Sequence, residues 1–556
     1  MNLYIHIFSI PNLSVMNRKQ PKSRLLGALI ISLQNILSKA DALKPDHQNT
    51  DNQRRTFLSN AAKLAAGTAL LPILDSCSKA ADTFSQKNQP ELEGGANNPS
   101  SAPRIAIIGG GIAGLHAAYI LKNSGISATI YEAANRIGGR MFTGRNLLGQ
   151  GLYTELGGEF IDSIHTDMLT LAKTFGLELL DTKLPNTSAL KSQAYFFNGR
   201  HYSEQEVVDA FMPFVPRIKA DQQGMSALIT ADSHSEHDKM LDNMSIAQYF
   251  DRIGLNGWLR DLLDVAYVTE YGQPIEMQTA LNFLWMISPK VTDGSFEVFG
   301  YSDERYKIKG GNDQIITKLA AELKGQVQTS HELTSINQNK DGSQTLNFKL
   351  SSGSKVITAD FVLLTIPFTT LRDVAVTPAW PDWKRKAIFD IGYGNNSKLL
   401  IGFKSRYWNK LGYAGYYFTD NMLQSGWDNS ELQTPVEGGL TIYSGGQQAI
   451  NVGTGTAAGQ ASQHLPLLEK MYPGATANLN GKSERFIWPS YKWTKCSYTC
   501  FKPGQYTTIA GNEIKPVSNI YFAGEHCSYD YQGFMNGGAE TGRRAAEAII
   551  RKVKFG

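Results

Sequence analysis

Cysteine is nearly absent: Cys77, Cys496, Cys500 and Cys527 are the only four in 556 residues. That rules out a disulfide framework. Cys496 and Cys500 could bridge, but two ordinary buried thiols are the expectation. No His/Cys cluster has metal-ligand spacing, so no metal is expected. Missing too is any uninterrupted apolar run of about eighteen residues, the length of a membrane span. Residues 22–43 come nearest, and Lys, Gln, Asn and Asp break them. Strong charge of one sign is also lacking. A formal net charge of +4 gives no case for nucleic acid. There is no internal repeat. A hydrophobic fraction of 42% with 19% charged residues is ordinary for a globular protein, and the length suffices for two domains sharing an interface.

What is present is organised around residues 103–140, PRIAIIGGGIAGLHAAYILKNSGISATIYEAANRIGGR. An apolar run at 104–108 ends in Gly109-Gly110-Gly111-Ile112-Ala113-Gly114. A helical pattern follows at 115–122, then a β-rich run at 127–131 that closes on Glu132. Strand, glycine turn, helix and strand fill the roughly thirty residues of a βαβ dinucleotide unit. Gly109 permits the tight turn, Gly111 lets backbone approach a pyrophosphate, and Gly114 lets the helix pack on its strand. The helix N-terminus offers free N–H groups to phosphates. Glu132 stands where a carboxylate accepts from a ribose 2′-OH. A lone GxGxxG is weak, and its bland alternative is a structural turn. Here four features stand in register.

The continuation decides which dinucleotide. Glu132-Ala133-Ala134-Asn135-Arg136-Ile137-Gly138-Gly139-Arg140 resembles the E-A-x-x-R-x-G-G-R run of the flavin amine oxidases. The resemblance implies FAD, with Arg140 and the glycines before it at the pyrophosphate. Ile112, Ala113, Ala133, Arg136 and Gly139 complete the implied contacts of this end.

Residues 1–102 read as targeting segment and linker. Arg54-Arg55-Thr56-Phe57-Leu58, a moderately apolar stretch at 61–74 and Leu74-Asp75-Ser76-Cys77 resemble a bacterial twin-arginine lipoprotein signal. Export of the folded protein would leave Cys77 lipidated, residues 78–102 as a tether, and the enzyme periplasmic or membrane-anchored. The alternative is an amphipathic N-terminal helix on a cytoplasmic protein.

The resemblance continues to residue 552. Tyr153-Thr154-Glu155-Leu156-Gly157-Gly158-Glu159-Phe160 matches the family's E-x-G-G turn, which implies backbone along the isoalloxazine. Phe160 falls in the slot where L-amino-acid oxidases hold the substrate carboxylate with arginine. An aromatic ring cannot replace a bidentate guanidinium. A carboxylate-bearing substrate is therefore disfavoured unless Arg or Lys arrives from elsewhere. Glu159 is a candidate polar contact. Residues 166–300 read mostly as helices with apolar spacing, and the resemblance implies that this insertion covers the flavin and helps wall the substrate cavity. Residues 306–314 resemble the return through a G-G-N turn. Leu333 matches a position whose backbone meets adenine, and Pro367 ends the strand after it. Within GYGNNSKLLIGF (392–403), Lys398 is the candidate that projects toward flavin N5 through a water. Trp488, then CSYTCFKPGQ (496–505), FAGEH with Gly524 and Glu525, and GFMNGGA with Gly533, Phe534 and Met535 form the last block. Two aromatic walls are implied for the substrate nitrogen: Phe534 and Tyr498, with Trp493 as the other choice. Some relatives attach FAD through a cysteine in this loop, where Cys496 is nearest. Most bind it without a bond.

The implied fold is α/β: a Rossmann-like FAD-binding domain of the glutathione-reductase type (103–165, 304–368, 484–556), with a mixed α/β substrate domain and helical insertion (166–303, 369–483). The implied activity is oxidation of a primary or secondary amine to an imine, with hydride transfer to N5 and O2 reduced to H2O2. Three alternatives are an L-amino-acid oxidase or tryptophan 2-monooxygenase-like enzyme, an amine dehydrogenase serving a periplasmic carrier, and a noncatalytic flavin-binding lipoprotein. Expected partners are a small amine, O2 and a second copy of the chain.

Overall fold

Four consecutive buried apolar residues, Ile105–Ile108, make the central strand of a parallel sheet, because a strand covered on both faces needs no polar alternation. The computed structural model describes residues 102–183, 190–291, 294–300 and 302–555. The expected export signal, Cys77 and all but the last residue of the tether lie outside them.

The elements that position the site run in this order. First come β1 (Ile105–Ile108), α1 (Ile112–Asn123), β2 (Thr129–Tyr131), β3 (Lys191–Phe197), β4 (Arg200–Tyr202) and α2 (Gly257–Tyr271). Next are β5 (Val327–Gln328), β6 (Phe361–Leu364), β7 (Asn396–Phe403), β8 (Tyr413–Thr419) and β9 (Ser425–Asp428). Then follow β10 (Gly438–Gly445), β11 (Leu479–Ile487), β12 (Ile520–Phe522) and α3 (Met535–Phe555).

The first sheet has the order β12-β6-β1-β2-β5 and every pairing in it is parallel. One apolar core on this sheet joins Leu115, Ala117, Ala118 and Leu121 of α1 to Ala539, Ala545, Ala546 and Ile549 of α3. The two helices meet backbone to backbone, since a Cβ on Gly542 would strike the Ala113 carbonyl. The second sheet has the order β11-β7-β10-β9-β8-β3-β4, antiparallel except where β8 runs beside β3. Pro103–Gly556 cluster as part of a single compact unit.

Two differences from the expectation have physical causes. The segment read as mostly helical contains β3 and β4. The run Ala194–Phe197 is buried on both sides of the chain, and a short continuous apolar stretch has the same signature in a strand as in a core helix. The expected boundary at 484 falls inside β11, whose ladder to β7 spans residues 479–487.

Candidate active site

The N-terminus of α1 is bare. Gly111 caps it in an extended conformation with no side-chain hydrogen bond, and its first turn holds no acidic residue. Gly109 has φ +113°, and a Cβ there would come within 2.5 Å of Thr365 Oγ1. A Cβ on Gly114 would land on the Gly109 carbonyl. A Cβ on Gly111 would meet only the Cα of Gly139, at 4.0 Å. Two glycine turns, bridged at Gly111 and Gly138, thus face each other as bare backbone. This is the cradle a pyrophosphate requires: close N–H groups, a positive helix end and no acidic residue in the helix's first turn.

Glu132 ends β2. Its Oε2 accepts from Gly110 N and its Oε1 from Ala134 N, both at 2.7 Å, with Ala133 between. Burial raises its pKa, and these N–H groups oppose the rise. Ile112 and Ala113 are buried at the start of α1. Arg136 braces the second turn: Nη2 donates to Gly139 O at 2.8 Å and the guanidinium lies 4.3 Å over Phe142. Leu333 is buried in the strand Glu332–Gln338, opposite Phe348.

Distant segments close the other side. Arg140 Nη1 donates to Glu525 Oε1 at 2.8 Å and to Ser497 O at 2.7 Å. Glu525 Oε2 accepts from Gly533 N at 2.9 Å. Burial pushes the Glu525 carboxyl up, but Arg140 and the remaining donors outweigh it, so it lies below the usual range. Gly524 sits at φ +136° and donates to Thr541 Oγ1. A Cβ on Gly157 would strike the Arg140 carbonyl, and one on Gly158 would meet the Met535 side chain at 2.7 Å. Trp488 Nε1 donates to Leu156 O at 2.8 Å, and Pro367 caps the short helix Phe368–Leu371.

Between these segments and the second sheet, Phe160, Trp427, Tyr443, Tyr498 and Phe534 are all only partly buried. Lys398 lies beside them on β7, 4% exposed. Its Nζ donates to Glu155 O (2.8 Å), Gly157 O (2.9 Å) and Glu159 Oε2 (2.8 Å). An ammonium has three N–H groups, and all three are engaged. The implied water-holding role therefore requires one of these bonds to open. Lys307, also buried, has its Nζ 3.8 Å from Glu159 Oε1 and makes no hydrogen bond. Burial lowers its pKa, yet Glu159, Glu431 and Asp428 more than offset that, so it stays protonated. Its Nζ is 5.4 Å from the Phe160 ring centroid.

Among the wall candidates, Tyr498 approaches Gly533, with Cδ2 3.4 Å from where a Cβ there would stand. Phe534 packs 5.1 Å from the His165 ring. Trp493 is instead covered by Lys492 Nζ, 4.0 Å above its ring. Cys496 and Cys500 are free and buried. Sequence reading passed over Lys307, Trp427 and Tyr443. The last two sit on β-strands, where alternation alone signals which face a residue takes.

The profile of the flavin containing amine oxidoreductases matches residues 112–550. The chain belongs to that family. An amine oxidase [flavin-containing] of Danio rerio is 26% identical over 478 residues, covering 81% of this chain and 86% of that one. A Bacillus subtilis (strain 168) protein provisionally named L-amino-acid oxidase YobN is 26% identical, with 83% and 97% covered. Among solved structures, cyclohexylamine oxidase from Brevibacterium oxydans IH-35A superposes with a TM-score of 0.71 at 20% identity, over 82% of this chain and all of that one. Wild-type putrescine oxidase bound to putrescine gives 0.68 at 21% identity, over 81% and 100%. Family membership makes this chain a flavin-dependent amine oxidoreductase with FAD as its cofactor, and the fold is the one these oxidases share.

Proposed function

We propose that the protein oxidises a small primary or secondary amine to an imine and returns the electrons to O2. FAD, when bound, supplies the two-electron acceptor that takes hydride from the amine α-carbon and passes the pair to O2 as H2O2. The chain's own residues do the rest. The paired glycine turns and the α1 N-terminus hold the pyrophosphate, and Glu132 accepts from the ribose. Arg140 and Glu525 lock the loop at 497 to the segment before α3. Tyr498 and Phe534 form apolar walls that disfavour an ammonium, which lowers the amine pKa toward the reactive free base.

The observation that carries this reading is the joining of one bare backbone cradle to a cluster of partly buried aromatic rings through Gly157, Gly158 and Lys398. Anaerobic mixing with paired amines and amino acids tests it. Decarboxylated amines should bleach the flavin faster, and the reverse order would replace this reading with an amino-acid oxidase. Lys307 favours that second reading, because it brings a cation to Phe160. However, Glu159, Glu431 and Asp428 surround it, so its charge is already balanced.

Export fits the same enzyme. The twin arginines and Cys77 support a folded, lipid-anchored product outside the cytoplasm. Membrane partition that survives Cys77→Ser would dismiss the anchor.

A further inference from the structure

The aromatic cluster holds a hydroxyl that neither the motifs nor the cradle uses. Tyr443 lies on β10 directly opposite Lys398 of β7 and Ser425 of β9, so its side chain shares the face of the sheet that bears Lys398. Its ring centroid is 5.2 Å from that of Trp427. Its Oη is 2.8 Å from Tyr498 Oη, and Tyr498 Oη is 2.6 Å from the backbone oxygen of Glu270 at the end of α2.

The protons in this chain can run only one way. A carbonyl oxygen accepts and never donates, so Tyr498 gives its single proton to Glu270 O. Tyr443 must then donate to Tyr498. Its oxygen is left with two lone pairs and no proton to offer, and so presents an acceptor to the cluster. Burial pushes the Tyr443 phenol well above its ordinary range. The Tyr498 bond opposes this and Glu270, Glu304 and Glu159 reinforce it, so the hydroxyl stays neutral. Lys398, on the same face, has every N–H engaged and no lone pair.

We propose that Tyr443 Oη accepts a hydrogen bond from the substrate amine and so selects for amines that carry at least one N–H. This inference rests on the amine-oxidase reading above. A neutral primary amine has two N–H groups and one lone pair on the same nitrogen. Pinning one N–H to Tyr443 fixes where the lone pair points, and the α-carbon with it. A tertiary amine as free base has no N–H to give, and the aromatic walls alone must place it. Tyr443 is thus a specificity residue in contact with substrate, whereas Tyr498 acts through it by taking its proton.

The test compares a primary amine with its N,N-dimethyl derivative, using FAD-loaded wild type and Tyr443→Phe. The readouts are anaerobic flavin bleaching, kcat/KM and the flavin absorption spectrum. Loss of one neutral hydrogen bond should raise the KM for the primary amine roughly tenfold in the variant. The dimethyl derivative should change less than about twofold by the same reasoning, with the spectrum and FAD occupancy unchanged. Equal losses for both amines, or none for the primary amine, overturn the proposal. Where Tyr443→Phe does not retain FAD, Tyr498→Phe serves in its place. That variant frees the Tyr443 proton, so the hydroxyl can present a donor and the preference for the primary amine should shrink. A preference equal to wild type there also overturns the proposal. A wild-type flavin that neither amine bleaches removes the amine-oxidase reading itself, whereas bleaching with unaltered selectivity in the variants removes only the role of Tyr443.

Discussion

Glu159 stands between two buried lysines, with Oε2 2.8 Å from Lys398 Nζ and Oε1 3.8 Å from Lys307 Nζ. The first lysine has every N–H engaged and the second has no hydrogen bond. Glu431 and Asp428 also act on Lys307, so the charges here balance one another within a buried site, where they act strongly.

The three charges should shift the flavin's reduction potential with signs that follow their own. Glu159→Gln removes a negative charge and should raise the potential, while Lys307→Met removes a positive one and should lower it. A shift of about 30 mV each way, a tenfold change for a two-electron couple, is the expected scale. Spectroelectrochemical titration reads both. Misfolding would move the two variants in the same direction, so a common sign disproves the charge account.

Lys398→Met should slow reoxidation of the reduced flavin by O2 while FAD stays bound. Preorganised positive charge stabilises developing negative charge, and removing one such group typically costs about a hundredfold. Stopped-flow mixing of reduced enzyme with oxygenated buffer measures it. An unchanged rate would mean that Lys398 only ties Glu155 and Gly157 together.

How much of this was legible beforehand follows sequence distance. The glycine turn, α1, β2 and Glu132 lie within thirty residues, and their spacing states their geometry. Arg140 and Glu525 were each found through their own motifs. Their bond was not, because 385 residues separate them. Lys398 was found in the same way, but its partner Glu159 lies 239 residues away and was read only as a polar contact. Tyr443 carried no motif at all. Its importance comes from strand register, which places it against Lys398, and no local pattern encodes that pairing.

Glu132→Ala should weaken cofactor retention. The substitution removes the ribose acceptor and frees Gly110 N and Ala134 N, which hold the first turn against the strand end. Loss of at least one charge-assisted bond predicts roughly tenfold weaker FAD binding or more. The ratio of flavin to protein absorbance after exhaustive dialysis measures it, and full occupancy would show that the carboxylate only shapes the turn.

Cys496 should not carry the flavin. Burial pushes its thiol up to about 11, with the nearby Arg140 charge opposing, and the sulfur sits 3.7 Å from Thr369 Oγ1. A thiol in that state is almost wholly protonated at neutral pH and a poor nucleophile. Denaturing electrophoresis should therefore show no flavin fluorescence on the protein band, and Cys496→Ser should load FAD normally. A fluorescent band lost in that variant would establish a covalent bond.

The Arg140–Glu525 pair should give the protein an acid limit. The folded carboxyl of Glu525 lies below its unfolded value, so the unfolded chain binds its proton first as pH falls. The pair's contribution is thus complete above the unfolded carboxyl range near pH 4.3, and it disappears as pH drops through the lower folded value. Glu525→Gln keeps the shape but leaves the partly buried guanidinium without its carboxylate, which should cost about 1–3 kcal/mol at neutral pH. The variant's unfolding free energy should also depend less on pH in the acid range, since the titrating group is gone. Denaturant titrations of both proteins at several pH values compare the slopes. Parallel curves would assign the acid sensitivity to other carboxylates and leave Glu525 as a hydrogen-bond acceptor for Arg140, Thr499 and Gly533.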